Sequence, residues 1–172
     1  MKVFISHSHA DEGTARDLAQ ALKRHGMDVW HDGAFGSVEE LSEMERGVDE
    51  SQAVIFLLSP EAVGSAWVER QVRAALRSDW DGTKVKIPVS ISEVPVPPFL
   101  RERVVASTSD FESYDALADY VMDLVKHPEK TWKPGAAARF RAERSKRLEA
   151  LGRHIEALRE SENADRDRPA PR

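Results

Sequence analysis

Apolar positions along this chain follow two alternating periods. Short apolar runs at 2–6 (KVFIS), 27–30 (MDVW), 53–59 (AVIFLLS) and 84–91 (KVKIPVSI) have the length of strands, and 104–106 reads as a short fifth. Between them, apolar residues recur every three or four positions, as a one-sided helix requires. Ala15, Leu18, Ala19 and Leu22 mark a helix over 14–25, with Gly26 as its stop, and Leu41, Met44 and Val48 mark a second. A third is expected over 65–77 and a last core helix over 113–125, where Leu117, Tyr120, Val121 and Leu124 share a face. The run at 53–59 is apolar throughout, which suits a central strand covered on both faces.

Strands alternating with helices predict a parallel sheet with helices on both faces, a three-layer α/β/α unit. In such sheets a ligand crevice lies beyond the carboxyl ends of the strands, where the strand order reverses. Here those ends are 6–9, 30–37, 59–67 and 90–98. A small-molecule site is expected to draw on them.

The pattern changes after residue 127. Pro128 and Pro134 bracket an expected linker at 128–135, and 136–161 is a helix-favouring mixture of Ala, Arg, Glu and Leu. Leu148, Leu151, Ile155 and Leu158 form a narrow stripe spanning two heptads, suited to packing on the parent domain or on another protein chain. Residues 162–172 have a disordered composition.

With 41% hydrophobic and 32% charged residues, the chain has a globular composition. The absence of cysteine excludes disulfides and thiolate sites and fits a reducing compartment, so a cytoplasmic protein is expected. The first residues turn polar after a five-residue run, unlike a signal peptide, and no stretch approaches the roughly 20 apolar residues of a membrane span. Residues 131–172 carry 11 Lys/Arg against 7 Asp/Glu, and residues 1–130 carry 14 against 23. An acidic body argues against nucleic acid as its ligand, because phosphate neutralisation dominates that affinity.

Several enzyme classes can be set aside on motifs. There is no Gly-x-Ser-x-Gly elbow and no glycine-rich phosphate loop of the Walker or dinucleotide type. His7, His9 and His31 have no recognised ligand spacing, so no metal is expected.

Four segments together carry a resemblance: VFISHSHAD at 3–11, DVWHD at 28–32, FLLSPEAVGSAWVERQV at 56–72 and IPVSISEVPVPPFL at 87–100. Over residues 1–127 the chain resembles a Toll/interleukin-receptor (TIR) domain of the bacterial NAD-cleaving type. That resemblance implies a flavodoxin-like fold with a five-stranded parallel sheet, to which the 136–161 helix is an extension. It implies two possible activities. Many such domains cleave the nicotinamide–ribose bond of NAD, giving ADP-ribose or a cyclic ADP-ribose signal in immune defence or effector signalling. Others act only as adaptors that bind further TIR domains. NAD is then a substrate, no cofactor is implied, and self-association through TIR–TIR contacts is.

The resemblance also marks site residues. In NAD-cleaving members a glutamate stands four residues, one helical turn, after the tryptophan of the Ser-x-Trp segment. Here that tryptophan is Trp67 and the position holds Gln71. Glu69, about 200° round the helix from Trp67, points elsewhere. Cleavage builds positive charge on the ribose, which a carboxylate stabilises and an amide does not, so the chain is expected to bind the dinucleotide and turn it over poorly. Either Gln71 is natural in a non-catalytic binder, or it replaces a glutamate in order to trap a ligand; the intact surroundings favour the second.

Ser6, His7 and Ser8 offer donors to a phosphate, although His7 can equally be a packing residue. Trp67 can stack on a base or merely pack its helix, and Ser65 can contact the ribose or cap that helix. Trp30 and Asp32 lead into the family's mobile loop, whose movement Gly33 and Gly36 permit, although Trp30 is also a natural core residue. Asp11 reads as a cap of the first helix.

Overall fold

The computed structural model of the chain describes residues 1–31, 38–79 and 83–166. Five strands, β1 (Lys2–Ser6), β2 (Asp28–His31), β3 (Ala53–Leu58), β4 (Val85–Ser90) and β5 (Ala106–Ser107), form one sheet in the order β2-β1-β3-β4-β5. Every pairing is parallel. The helices are α1 (Glu12–Arg24), α2 (Val38–Glu50), α3 (Pro60–Gly64), α4 (Ala66–Ser78), α5 (Tyr114–Lys126) and α6 (Ala136–Arg166).

The strand order follows from chain direction. The chain steps one way across the sheet from β1 to β2 and the other way from β2 to β3, so right-handed connections put α1 and α2 on opposite faces. Period-two alternation then sorts the side chains. Val3, Ile5, Ile55 and Ile87 join Leu18 and Leu22 of α1 and Leu117 and Val121 of α5 in one core. Phe4, Val54, Phe56 and Leu58 join Met44 and Val48 of α2 and Ala74 and Ala75 of α4 in the other. All six residues of β3 are buried, as a central strand requires.

Two local features follow from particular residues. Gly26, at φ +80°, closes α1 with Met27 N–H donating to Leu22 O and Gly26 N–H to Lys23 O, the paired bonds of a Schellman stop. Pro88 sits inside β4, yet Val85 and Ile91 donate to the β3 side, so by alternation its missing N–H faces β5, which pairs only with Val89 and Ser90.

Three boundaries differ from expectation. The helix expected over 65–77 is preceded by a separate turn, α3, which Ser59 opens by accepting from Ala62 N–H with Pro60 at its first position. Residues 128–133, expected as linker, fold back on the body: Val104 N–H donates to Thr131 O, and Arg103 pairs with Trp132 in an antiparallel bridge. The Arg103 guanidinium lies 3.4 Å from the Trp132 ring centroid and donates to Thr131 Oγ1 at 2.7 Å. The compact unit is therefore Met1–Lys133. The second unit contains α6, which continues to Arg166, past the 162 boundary expected for a disordered end. Among the described residues no helix is long and apolar enough to cross a membrane.

Candidate functional site

The strand order reverses between β1 and β3, and polar side chains gather at the carboxyl ends of these two strands. Ser6 pairs in register with Phe56 and alternates with Phe4, so its side chain faces α4. There its hydroxyl donates to Gln71 Oε1 at 2.7 Å, and both residues are 1% exposed. Gln71 Nε2 is buried and without a hydrogen-bond partner among the described residues. An unpaired buried donor costs roughly 1–3 kcal/mol, so a fold that keeps one calls for an explanation.

A second cluster ties the two strand ends together. Asp11 Oδ2 accepts from Ser8 Oγ at 2.5 Å and from Ser59 Oγ at 2.6 Å, and Ser59 Oγ in turn accepts from Ala62 N–H at 2.9 Å. Asp11 stands at the start of α1 but makes no side-chain cap bond there. The expected capping role is therefore corrected: its carboxylate clamps the loop after β1 to the loop after β3. This clamp is invisible in the sequence, because Ser59 lies 48 positions away and each residue has an ordinary local role available.

His7 and Ser8 do not present free donors to a phosphate. The Ser8 hydroxyl proton is committed to Asp11. His7, one residue on from Ser6, faces α1 instead and is fully buried. Its Nδ1 lies 3.2 Å from Ile5 O and its Nε2 3.3 Å from Glu12 Oε2. Burial alone would raise the Glu12 carboxyl, but the bonds from Arg16 and His7 outweigh it and hold the group below its ordinary value. His31, 6.4 Å from His7 between ring centroids, is pushed down by burial and by the nearby charges of Lys23 and His7, against the pull of Glu12.

Trp30 is half-buried and packs against the core. It stacks on Phe4 with centroids 5.0 Å apart and planes 15° from parallel, and it covers Gly47, where a Cβ would sit 2.7 Å from its ring. Ser65 caps α4 by accepting from Val68 N–H at 3.4 Å. It also lines an apolar crevice of about 570 Å³ between α3, the start of α4 and the proline-rich stretch 95–99. Glu69 borders that crevice and bonds Arg73, so it points away from Gln71, as the helical spacing predicts. Asp32, Gly33, Gly36 and the Trp67 side chain lie outside the described residues.

A family model described as TIR domain matches residues 3–121. The chain belongs to the TIR-domain family. The TIR domain of the Toll-related receptor TRR-2 from Hydra magnipapillata shares its fold, with a TM-score of 0.59 at 16% identity, over 73% of this chain and 98% of that one. The RPS4 and RRS1 TIR domain heterodimer gives 0.51 at 13% identity, over 73% and 97%. Among curated proteins, the chain is 29% identical over 89 residues to the 2' cyclic ADP-D-ribose synthase BtTIR of Bacteroides thetaiotaomicron, covering 50% of this chain and 31% of that one. It is 31% identical over 90 residues to the NAD(+) hydrolase TcpA of Theionarchaea archaeon (strain DG-70-1), covering 51% and 27%. The chain thus spans less than a third of the length of these curated relatives.

Within this TIR domain, then, the switch point between β1 and β3 holds one hydroxyl–amide pair with an unspent N–H. Both residues are 1% exposed and line none of the cavities formed by the described residues. The pair carries no charge with which to stabilise a cation.

Proposed function

We propose that this TIR domain is an NAD-directed module, built to cleave the nicotinamide–ribose bond and attenuated in that reaction by Gln71. The observation that carries the reading is the Ser6–Gln71 pair, buried at the switch point with Gln71 Nε2 unspent. Two relatives with cyclic ADP-ribose synthase and NAD(+) hydrolase names support the substrate class. As nicotinamide leaves, positive charge grows on the anomeric carbon and ring oxygen of the ribose. An amide in this place can orient the sugar but does not offset that charge. The setting we assign is cytoplasmic immune or effector signalling, with ADP-ribose or its cyclic isomer as product.

Restoring the carboxylate tests this directly. Gln71→Glu keeps the shape and lets Ser6 donate to a charged oxygen, so NAD consumption should rise on the order of a hundredfold to a thousandfold. Unchanged turnover, in a variant that still folds, would favour the second reading: a TIR scaffold that signals by binding other TIR domains. The glutamine itself is the observation behind that alternative.

The proposal includes dependence on self-association. Specific activity of the Gln71→Glu form should then climb with protein concentration. A flat profile would remove self-association from the proposal and leave the substrate assignment standing.

A further inference from the structure

The least explained surface of the described chain lies on α6. Phe140, Arg144, Leu148, Leu151 and Ile155 recur at intervals of four, four, three and four, which keeps them on one stripe of a helix turning 100° per residue. Phe140 is 41% exposed, Leu148 51%, Leu151 53% and Ile155 42%. Scattered exposed apolar residues are ordinary, but a stripe of them along about four turns is a mark of an interaction surface.

Charge along the same helix says what the seam fits. Residues 136–147 hold five Lys/Arg and one Asp/Glu, whereas 148–166 hold three Lys/Arg and five Asp/Glu. The helix is therefore basic in its first half and acidic in its second. The seam also contains a cation, Arg144, at a position where a partner must either repel it or accommodate it.

We propose that α6 pairs with α6 of a second copy of this chain, antiparallel, along this stripe. A two-fold axis crossing between positions 149 and 150 sets Leu148 against the second copy's Leu151. Arg144 then meets Ile155, with its stem on the aliphatic side chain and its guanidinium directed to the half that carries Glu156. The parallel arrangement fails on the same residues. It stacks Arg144 on Arg144 inside the seam and lays one basic half along the other. The antiparallel pair is isologous, so it closes at two chains. Glycine at position 152 weakens a helix by itself, so packing along the stripe adds to the stability of α6. The inference is independent of NAD chemistry and stands or falls apart from it.

The absence of native cysteine makes the test clean, since introduced thiols are the only ones present. Light scattering on the eluting full chain should give twice the 19.3 kDa monomer mass. Leu151→Glu with Ile155→Glu should weaken the dimer by about a hundredfold or more, because two central anchors are lost. Glutamate favours helices, so an unchanged far-ultraviolet circular dichroism spectrum shows that the loss comes from the surface and not from unravelling. Under mild oxidation, Arg144→Cys with Ile155→Cys should cross-link. Ile155→Cys alone should not, since the two copies of position 155 lie about 16 Å apart along antiparallel helices, beyond disulfide reach. A monomeric parent chain, a dimer that survives the glutamate pair, or cross-linking through position 155 alone would each overturn the proposal.

Discussion

Asp11 holds two hydroxyls on one carboxylate oxygen, and all three residues are at least nine-tenths buried. Asp11→Ala leaves Ser8 and Ser59 without their acceptor and frees the loop after β3 from the loop after β1. The expected loss is about 2 kcal/mol, read from urea denaturation, and a change under half of that would show the clamp to be ornamental. At this scale the sequence was legible where a single position departs from a spacing, and illegible where two distant residues meet. Gln71 belongs to the first kind, because one helical turn after Trp67 is a place that local geometry alone defines. Asp11 belongs to the second. Trp30 lies between them: its pairing opposite Phe4 puts it on that residue's face of the sheet, which strand register decides and residue type does not.

The longer strands and helices were readable because each repeats its period several times, whereas α3 and β5 do not. α3 is five residues long, less than two turns, so no apolar periodicity can build up, and its signals were only Ser59 and Pro60. β5 has two residues and is placed by pairing with Val89 and Ser90, not by its own pattern. The segment 128–133 read as linker because prolines bracket it, yet it is fixed by Arg103 and Thr131, partners that a local reading does not connect. Burial pulls the Arg103 guanidinium down to about 10, with Asp79 opposing, which still leaves it charged near neutrality. Helix ends offer a sharper test. Gly26 adopts φ +80°, so Gly26→Ala should cost about 1 kcal/mol and lower the melting temperature. Gly13, inside α1 with open space around its Cβ position, should gain roughly 0.5–1 kcal/mol on the same change. Equal shifts at the two positions would mean that the left-handed stop does not govern the end of α1.

For the molecule as a whole, the layer architecture was legible from alternating periods, but the order β2-β1-β3-β4-β5 was not, since hydrophobic pattern does not say which strands are neighbours. That order matters because it sets β2 beside β1, and with it His31 at the end of β2 near His7 after β1, the histidines whose environment shapes stability against pH. His31 is held below its ordinary value of 6.5 by burial, by Lys23, by His7 and by Arg16, with Glu12 opposing. A histidine depressed in the fold binds its proton more readily once unfolded. As pH falls below about 6.5 the unfolded chain takes up that proton first, so stability declines, by at most about 1.4 kcal/mol per pH unit for one group, until the folded site is protonated as well. Below that range Glu50, Asp115 and Asp123, lowered by Lys2, Arg24 and Lys130 respectively, add a separate acid loss as their ion pairs are protonated. Denaturation midpoints measured at intervals from pH 7 to pH 3 should therefore fall in two stages. His31→Asn should flatten the upper stage and leave the lower one in place. A parent profile that is level between pH 7 and pH 5 would show that His31 is as readily protonated in the fold as in the unfolded chain.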